Sequence, residues 1–300
     1  MKRLSIIIVT YNSEQDIFDC LHSIFSYCDI PEEQLEVIVV DNASKYTDAM
    51  FRKIQSEYED KVVLVRNTQN GGYGQGNNVG IRRASAPVIL IMNPDVRLRM
   101  PVFAKALSAF EQRLHLSIYG MKQMRSEQVK SRISFCCLNC VNGYVYTLMT
   151  ALCNRLDWYI QRFMYIQGSC FFIRKSMLEQ IGLFDESIFM YGEEDDIHFR
   201  LTRQFYHKII YDKHLSYIHK TIDRELKLDY LMRMLNVALE QNEKRGISKR
   251  KTVINKIRNN RLLILRELIH VKLRKKESRT LPVLKAFHRN LKQMLNTYCL

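Results

Sequence analysis

Hydrophobic and polar positions fall into blocks along the first hundred residues. Ser5-Ile6-Ile7-Ile8-Val9 is a β-branched, unalternating run, and Leu35–Val40, Val62–Val65 and Val88–Met92 repeat it. Short runs of this kind suit strands covered on both faces, as in a parallel sheet. Between them the period becomes helical. A helix is predicted over about 14–28, with Ile17, Leu21, Ile24 and Phe25 on one face and Ser13 able to cap it, and a second over about 47–58. A short helix is expected after the glycine-rich stretch 70–78. Four strand–helix alternations predict a parallel sheet whose loops gather at its carboxyl edge. Beyond a helix near 100–112 and a strand near 116–121, the pattern loosens through Arg155. It resumes as a strand over 165–174, which passes through Gly168, and as another that closes at Tyr217-Ile218-His219.

The expected edge loops carry polar chemistry. They are Thr10-Tyr11-Asn12, Asp41-Asn42-Ala43-Ser44 and Asn93-Pro94-Asp95. Pro94 cannot donate to a ladder, so the strand stops and Asp95 is held at the end where open α/β sheets bind ligands. Gly71, Gly72, Gly74 and Gly76 let backbone amides approach a ligand, and a helix starting there favours a phosphate. The spacing is not a dinucleotide fingerprint, since Gly72 and Gly74 are followed by Asn77 and the stretch comes after the third strand. No P-loop sequence is present. Glu193-Glu194-Asp195-Asp196 is a crowded acid run, which suits the positive end of a helix and also raises the pKa of one member toward that of a general base. His219 offers an imidazole that can ligate a metal.

Composition adds a division. The net charge is +15, and residues 245–300 hold sixteen Lys and Arg against Glu267 and Glu277, so residues 1–244 are nearly neutral. The tail reads as basic amphipathic helices, with Leu226, Tyr230, Leu231, Met234, Leu235, Ile254, Ile257, Leu262, Leu265, Leu268 and Ile269 on apolar faces. Such helices lie on anionic membrane surfaces. No aromatic-rich basic platform accompanies them, so nucleic acid is not the expected partner. The eight cysteines read as reduced thiols of a cytosolic protein. Cys137-x-x-Cys140 beside Cys136 lacks the second pair that zinc requires. Met1-Lys2-Arg3 and Leu4–Val9 resemble a signal peptide's start, but the apolar run is too short and no cleavage site follows. Residues 133–154 are uncharged yet interrupted by Asn139, Asn142 and Gly143, which suggests a membrane- or partner-facing surface and not a span.

Taken in order, these motifs resemble glycosyltransferase family 2, the inverting GT-A enzymes, and within it the bacterial rhamnosyltransferases and other O-antigen and capsule sugar transferases. The resemblance rests on Ser5–Asn12, Val40–Ser44, Asn70–Asn78, Asn93–Val96, Gly168–Arg174 and Phe184–Arg200. It implies a GT-A fold, a Rossmann-like, mostly parallel sheet flanked by helices, over residues 1–222, with a basic helical extension over 223–300. It implies a nucleotide-diphosphate sugar donor, a UDP- or dTDP-sugar with dTDP-rhamnose among the candidates, and a saccharide or lipid-linked acceptor. Asp41 would accept from the pyrimidine imide or the ribose, with Thr10, Asn12, Gly72, Asn77, Asn78 and Asn93 around the nucleotide. Asp95 would ligate Mg²⁺ or Mn²⁺ on the diphosphate, and His219 would be the second ligand. The family's base corresponds to Glu194, a residue one methylene longer than the usual Asp, with Asp195 the alternate and Glu193 and Asp196 in support. Tyr191, Gly192 and Glu193 would face the acceptor. The implied setting is a peripheral enzyme on the cytoplasmic face of the cell membrane, attached through 245–300. A catalytically silent sugar- or nucleotide-binding relative is the competing reading.

Overall fold

The computed structural model describes all residues except 132, 139–141, 205, 221–224, 275–276 and 299–300. Cys140 of the paired-cysteine motif and the expected 222/223 boundary therefore lie outside the described residues. The chain begins β1 (Leu4–Thr10), α1 (Asp16–Ser26), β2 (Leu35–Asn42), α2 (Thr47–Tyr58), β3 (Val62–Asn67), α3 (Tyr73–Arg83), β4 (Val88–Met92), β5 (Val96–Leu98), α4 (Phe103–Gln112) and β6 (Leu116–Met124). It continues β7 (Phe135–Cys137), α5 (Gly143–Leu156), β8 (Met164–Ile166), β9 (Cys170–Arg174), α6 (Lys175–Gln180), α7 (Glu193–Gln204), β10 (Lys208–His219), α8 (Leu228–Lys244), α9 (Lys249–Arg274) and α10 (Thr280–Thr297).

Eight strands form one sheet in the order β3-β2-β1-β4-β9-β6-β10-β5. The four apolar runs are its parallel half, as their pattern predicts. β9 departs from that pattern, pairing antiparallel with both β4 and β6, and the short β5 runs antiparallel to β10. The unalternating sequence of β1 follows from cover on both faces. Ile6 and Ile8 join the core formed with Ile17, Leu21 and Ile24 of α1 and Phe103 and Phe110 of α4. On the other face α3 approaches so closely that a Cβ at Gly80 would stand 2.5 Å from Ile7.

Two compact units result, Met1–Ser134 with Ile166–Lys220, and Phe135–Tyr165 with Thr221–Leu300. This division differs from a single boundary near 222, because α5 belongs with the C-terminal helices. Gly143 lies against the α9 backbone, where a Cβ would stand 1.9 Å from the Asn255 carbonyl, and Thr147 Oγ1 donates to Asn259 Oδ1 at 2.5 Å. Leu235, Leu239, Val253, Ile257, Phe287 and Leu291 form the core of α8–α10. Among the described residues no helix is long and apolar enough to cross a membrane.

Candidate active site

The sheet order reverses at β1, which lies between β2 and β4, so the carboxyl ends of β1 and β4 open a crevice of the kind that binds ligands in open α/β sheets. Asn12 stands exposed on its rim with φ +51. Its amide donates to Ser44 Oγ at 2.8 Å, and its Oδ1 accepts from the Lys45 amide at 3.1 Å. Ser13 caps α1 through its carbonyl, which accepts from the Asp16 and Ile17 amides; its side chain does not.

Asp41 is turned inward. It is fully buried. Its Oδ1 accepts from Thr10 Oγ1 at 3.0 Å and Ser44 Oγ at 2.5 Å, and its Oδ2 from the Ser44 amide at 2.9 Å and Thr47 Oγ1 at 2.5 Å. These four protein donors match the acceptor capacity of a carboxylate. In this arrangement Asp41 and Thr10 tie the β1 and β2 turns together.

The glycine loop is likewise turned toward the protein. Gly72 sits at φ +91, and a Cβ there would stand 2.1 Å from the Phe189 carbonyl, which accepts from the Tyr73 amide at 3.0 Å. A Cβ at Gly76 would stand 2.7 Å from Val9. These glycines let α3 approach the sheet and the 189 loop. Asn78 is buried, its Oδ1 accepting from the Phe184 amide at 3.0 Å and its Nδ2 donating to the Phe184 carbonyl at 2.9 Å and Glu186 Oε1 at 2.8 Å. Asn77 is buried too and donates to the Tyr73 carbonyl. Gly72 and Asn78 thus fasten α3 to the 184–189 segment, while Asn77 Oδ1 is buried without a hydrogen-bond partner.

Asp95 and His219 meet. His219 Nε2 lies 3.2 Å from Asp95 Oδ2, and both side chains keep some exposure. One carboxylate oxygen and one imidazole nitrogen suit a divalent cation whose remaining ligands come from phosphate and water. His219 Nδ1 is buried without a hydrogen-bond partner. No cluster of three or more His, Cys, Asp or Glu able to hold a metal occurs among the described residues, so such an ion would need ligands from the substrate.

Gly168 and Ser169 link this pair to the acid run. The Asn93 amide donates to the Ser169 carbonyl at 2.9 Å, and Ser169 Oγ shares a 2.8 Å hydrogen bond with the hydroxyl of Tyr217, two residues before His219. The Glu194 carboxyl lies on Gly168, where a Cβ would stand 1.5 Å from Glu194 Oε1. Tyr73 donates to the Gly168 carbonyl at 2.8 Å. The sequence reading did not assign Tyr73, Gln123 or Tyr217 to the site. Gln123 Oε1 accepts from Ser169 at 3.2 Å and from Tyr217 at 3.3 Å. No local motif marks such partners.

The acids divide by exposure. Asp195 is fully buried, Glu193 and Asp196 are buried, and Glu194 alone of the four keeps partial access. Burial is the largest influence on Glu194, raising its pKa to about 7, while neighbouring Asp195 adds to the rise and the Gly168 amide opposes it. Burial also pushes Glu193 well up, assisted by Glu194 and opposed by backbone amides including that of Tyr191. Glu193 and Asp195 thus lie beneath Glu194, which is the most accessible of the four. Asp196 is engaged by Arg200, whose Nε donates at 2.7 Å and whose Nη1 holds the Ile181 and Leu183 carbonyls. Tyr191 and Gly192 both take positive φ, +75 and +98, forming the turn that presents Glu194. A separate recess of about 470 Å³, bounded in part by Asn78, Arg82, Phe184 and Glu186, includes neither Asp95 nor Glu194.

The glycosyl transferase family 2 model matches residues 5–182. The chain belongs to this family. Among curated relatives, it is 30% identical over 208 residues to the low-salt glycan biosynthesis hexosyltransferase Agl10 of Haloferax volcanii, a match covering 67% of this chain and 62% of that protein. It is 35% identical over 96 residues to a poly(ribitol-phosphate) beta-glucosyltransferase of Bacillus spizizenii, covering 31% of this chain and 15% of that one. The chain thus spans less than two thirds of the length of these relatives. Among solved structures, the mannosyltransferase PcManGT of Pyrobaculum calidifontis, in complex with GDP-Man and Mn²⁺, superposes with a TM-score of 0.57 at 15% identity, covering 95% of this chain and 69% of that one. At that identity the likeness is one of fold, and the family 2 chain has the GT-A architecture.

Proposed function

We propose that this family 2 glycosyltransferase moves a hexose from a UDP- or dTDP-sugar to a hydroxyl of a saccharide or lipid-linked acceptor, by a single inverting displacement, in cell-surface polysaccharide synthesis. The observation that supports this most is the common Gly168–Ser169 connection, through which the Asp95–His219 pair and the desolvated Glu194 belong to one constellation. The hexosyl and glucosyl transfers named for the relatives, and the GDP-Man and Mn²⁺ of PcManGT, agree with it.

Inversion requires a base on the face opposite the departing diphosphate. Glu194 takes the acceptor's proton, and desolvation makes its carboxylate a stronger base than a solvated glutamate. Tyr191 and Gly192 frame the acceptor mouth. Asp95 and His219 would hold Mg²⁺ or Mn²⁺, with phosphate and water supplying the remaining ligands. When bound, that ion neutralises charge on the leaving diphosphate. Asn12 and Asn93 line the nucleotide end of the crevice, while the buried Thr10 supports it from beneath through Asp41. The cations of 245–300 draw the enzyme to an anionic membrane at the cytoplasmic face, where a lipid-linked acceptor is presented.

A thermal-shift panel of UDP, dTDP and GDP, with and without Mn²⁺, tests the reading on the wild type and Asp95→Ala. Stabilisation that needs both the metal and Asp95 is expected, because a ligand that binds only the native state raises its stability by mass action. Nucleotide stabilisation indifferent to both would overturn it.

A further inference from the structure

The amphipathicity of α5 is reversed. A helix on a protein surface normally turns its apolar stripe to the core, but Val145, Leu148, Leu152 and Leu156, which share one face at helical spacing, are 42%, 63%, 55% and 58% exposed. The inward face is small and polar. Gly143 and Thr147 meet α9, while Asn154 is buried and its Nδ2 donates to the Phe135 and Thr150 carbonyls, both at 2.8 Å. Rotating the helix to bury its leucines would break these bonds, so the apolar row is held outward. Past the left-handed Asp157 at the helix end, Trp158 and Phe163 are exposed beside Arg155 and Arg162. On α9 of the same unit, Leu265, Leu268, Ile269 and Leu273 form a second exposed row.

We propose that the outward face of α5, continued by Trp158 and Phe163, inserts into the headgroup region of an anionic bilayer. This deepens the membrane reading of 245–300 and rests on it. Leucines ending in aromatic and arginine side chains have the composition of an interfacial helix. Charge selects the occupant. Residues 245–300 hold sixteen cations against two acids, which complements anionic lipid, whereas a second copy of the same unit would bring like charge to like. With 14 residues, α5 reaches only about 21 Å and lies in the interface without crossing a hydrocarbon core of about 30 Å.

Trp158 is the chain's only tryptophan and serves as the probe. The full chain is mixed with vesicles of phosphatidylcholine containing phosphatidylglycerol, with and without brominated acyl chains, and followed by Trp158 emission and co-sedimentation. A blue-shifted, bromine-quenched emission is expected. A Leu148→Ser/Leu152→Ser/Leu156→Ser variant should lose it and bind at least tenfold more weakly, while keeping its nucleotide thermal shift as a sign of intact folding. Co-sedimentation with unchanged emission and no effect of the triple variant would mean tail electrostatics alone and would overturn insertion. Concentration-dependent self-association that the triple variant abolishes would assign the face to a second copy and also overturn it. Equal insertion into pure phosphatidylcholine would sink the basic-tail reading while leaving α5 as the inserting face.

Discussion

His219 Nε2 lies 3.2 Å from Asp95 Oδ2, held there because β10 runs antiparallel to β5 with His219 opposite Val96. If the pair serves a divalent cation, Asp95→Ala and His219→Ala should each remove the Mn²⁺-dependent part of nucleotide stabilisation. With ligand near 100 times its Kd that part is worth about 2.7 kcal/mol. The ligand-free melting temperatures should barely move, since partly exposed ion pairs contribute only about 0–1 kcal/mol. Thermal shift with and without Mn²⁺ measures both. Undiminished Mn²⁺ dependence in His219→Ala would make the imidazole a hydrogen-bond partner of Asp95 and nothing more.

Glu194 yields two pH signatures. As the base, with its pKa raised to about 7 by burial, it should make kcat/KM climb through neutrality to a plateau, and Glu194→Gln should lower the rate about 10²–10⁴-fold with nucleotide binding retained. Stability should run the other way. The unfolded chain releases this proton near the ordinary glutamate value of about 4.3, while the native state keeps it to about 7. Between those values the native state binds more protons, so stability falls as pH rises. Melting temperatures of the wild type should therefore decline across that window, and those of Glu194→Gln should decline less. Identical slopes would mean that Glu194 is not buried in its carboxyl form.

The parallel half of the sheet was legible because both faces of β1, β2 and β4 are covered and the sequence records this as unbroken apolar runs. The order of β9, β6, β10 and β5 was not, since antiparallel insertion of Cys170–Arg174 between β4 and β6 is decided by tertiary pairing and leaves no local period. Asp95, His219 and Glu194 were legible as residue types, at a loop, a strand end and a helix start respectively. Their neighbours were not. Asp41 bonds Thr47, and Asn78 bonds Phe184 and Glu186, and sequence alone does not say which polar groups a buried side chain will satisfy.

Gly72 and Gly182 separate crowding from backbone strain. Both hold positive φ, +91 and +86, but a Cβ at Gly72 meets the Phe189 carbonyl at 2.1 Å whereas one at Gly182 meets nothing within 4 Å. Gly182→Ala should cost only the left-handed strain of about 1–2 kcal/mol. Gly72→Ala should cost more and displace the 189 loop, which precedes Glu194. Urea denaturation gives the stabilities, and proteolysis at Phe189, already half exposed, reports the loop. Equal costs for the two would mean that the loop yields without resistance.

Asp41→Asn distinguishes a nucleotide contact from a keystone. The wild-type carboxylate accepts from Thr10, Thr47 and both the amide and hydroxyl of Ser44. An amide in its place offers one acceptor oxygen and turns an NH₂ toward groups that are themselves donors. Each buried donor stranded this way costs about 1–3 kcal/mol, and hydroxyls can rotate to recover part of it. The ligand-free protein should therefore lose about 2–4 kcal/mol, read by chemical denaturation, and the preference among UDP, dTDP and GDP should not change. A direct contact to the base predicts the opposite result, a nearly unchanged fold with an altered nucleotide preference. Thr47→Val supplies the control, since it removes one donor from the same carboxylate without approaching the crevice, and it should weaken the fold while leaving nucleotide choice intact.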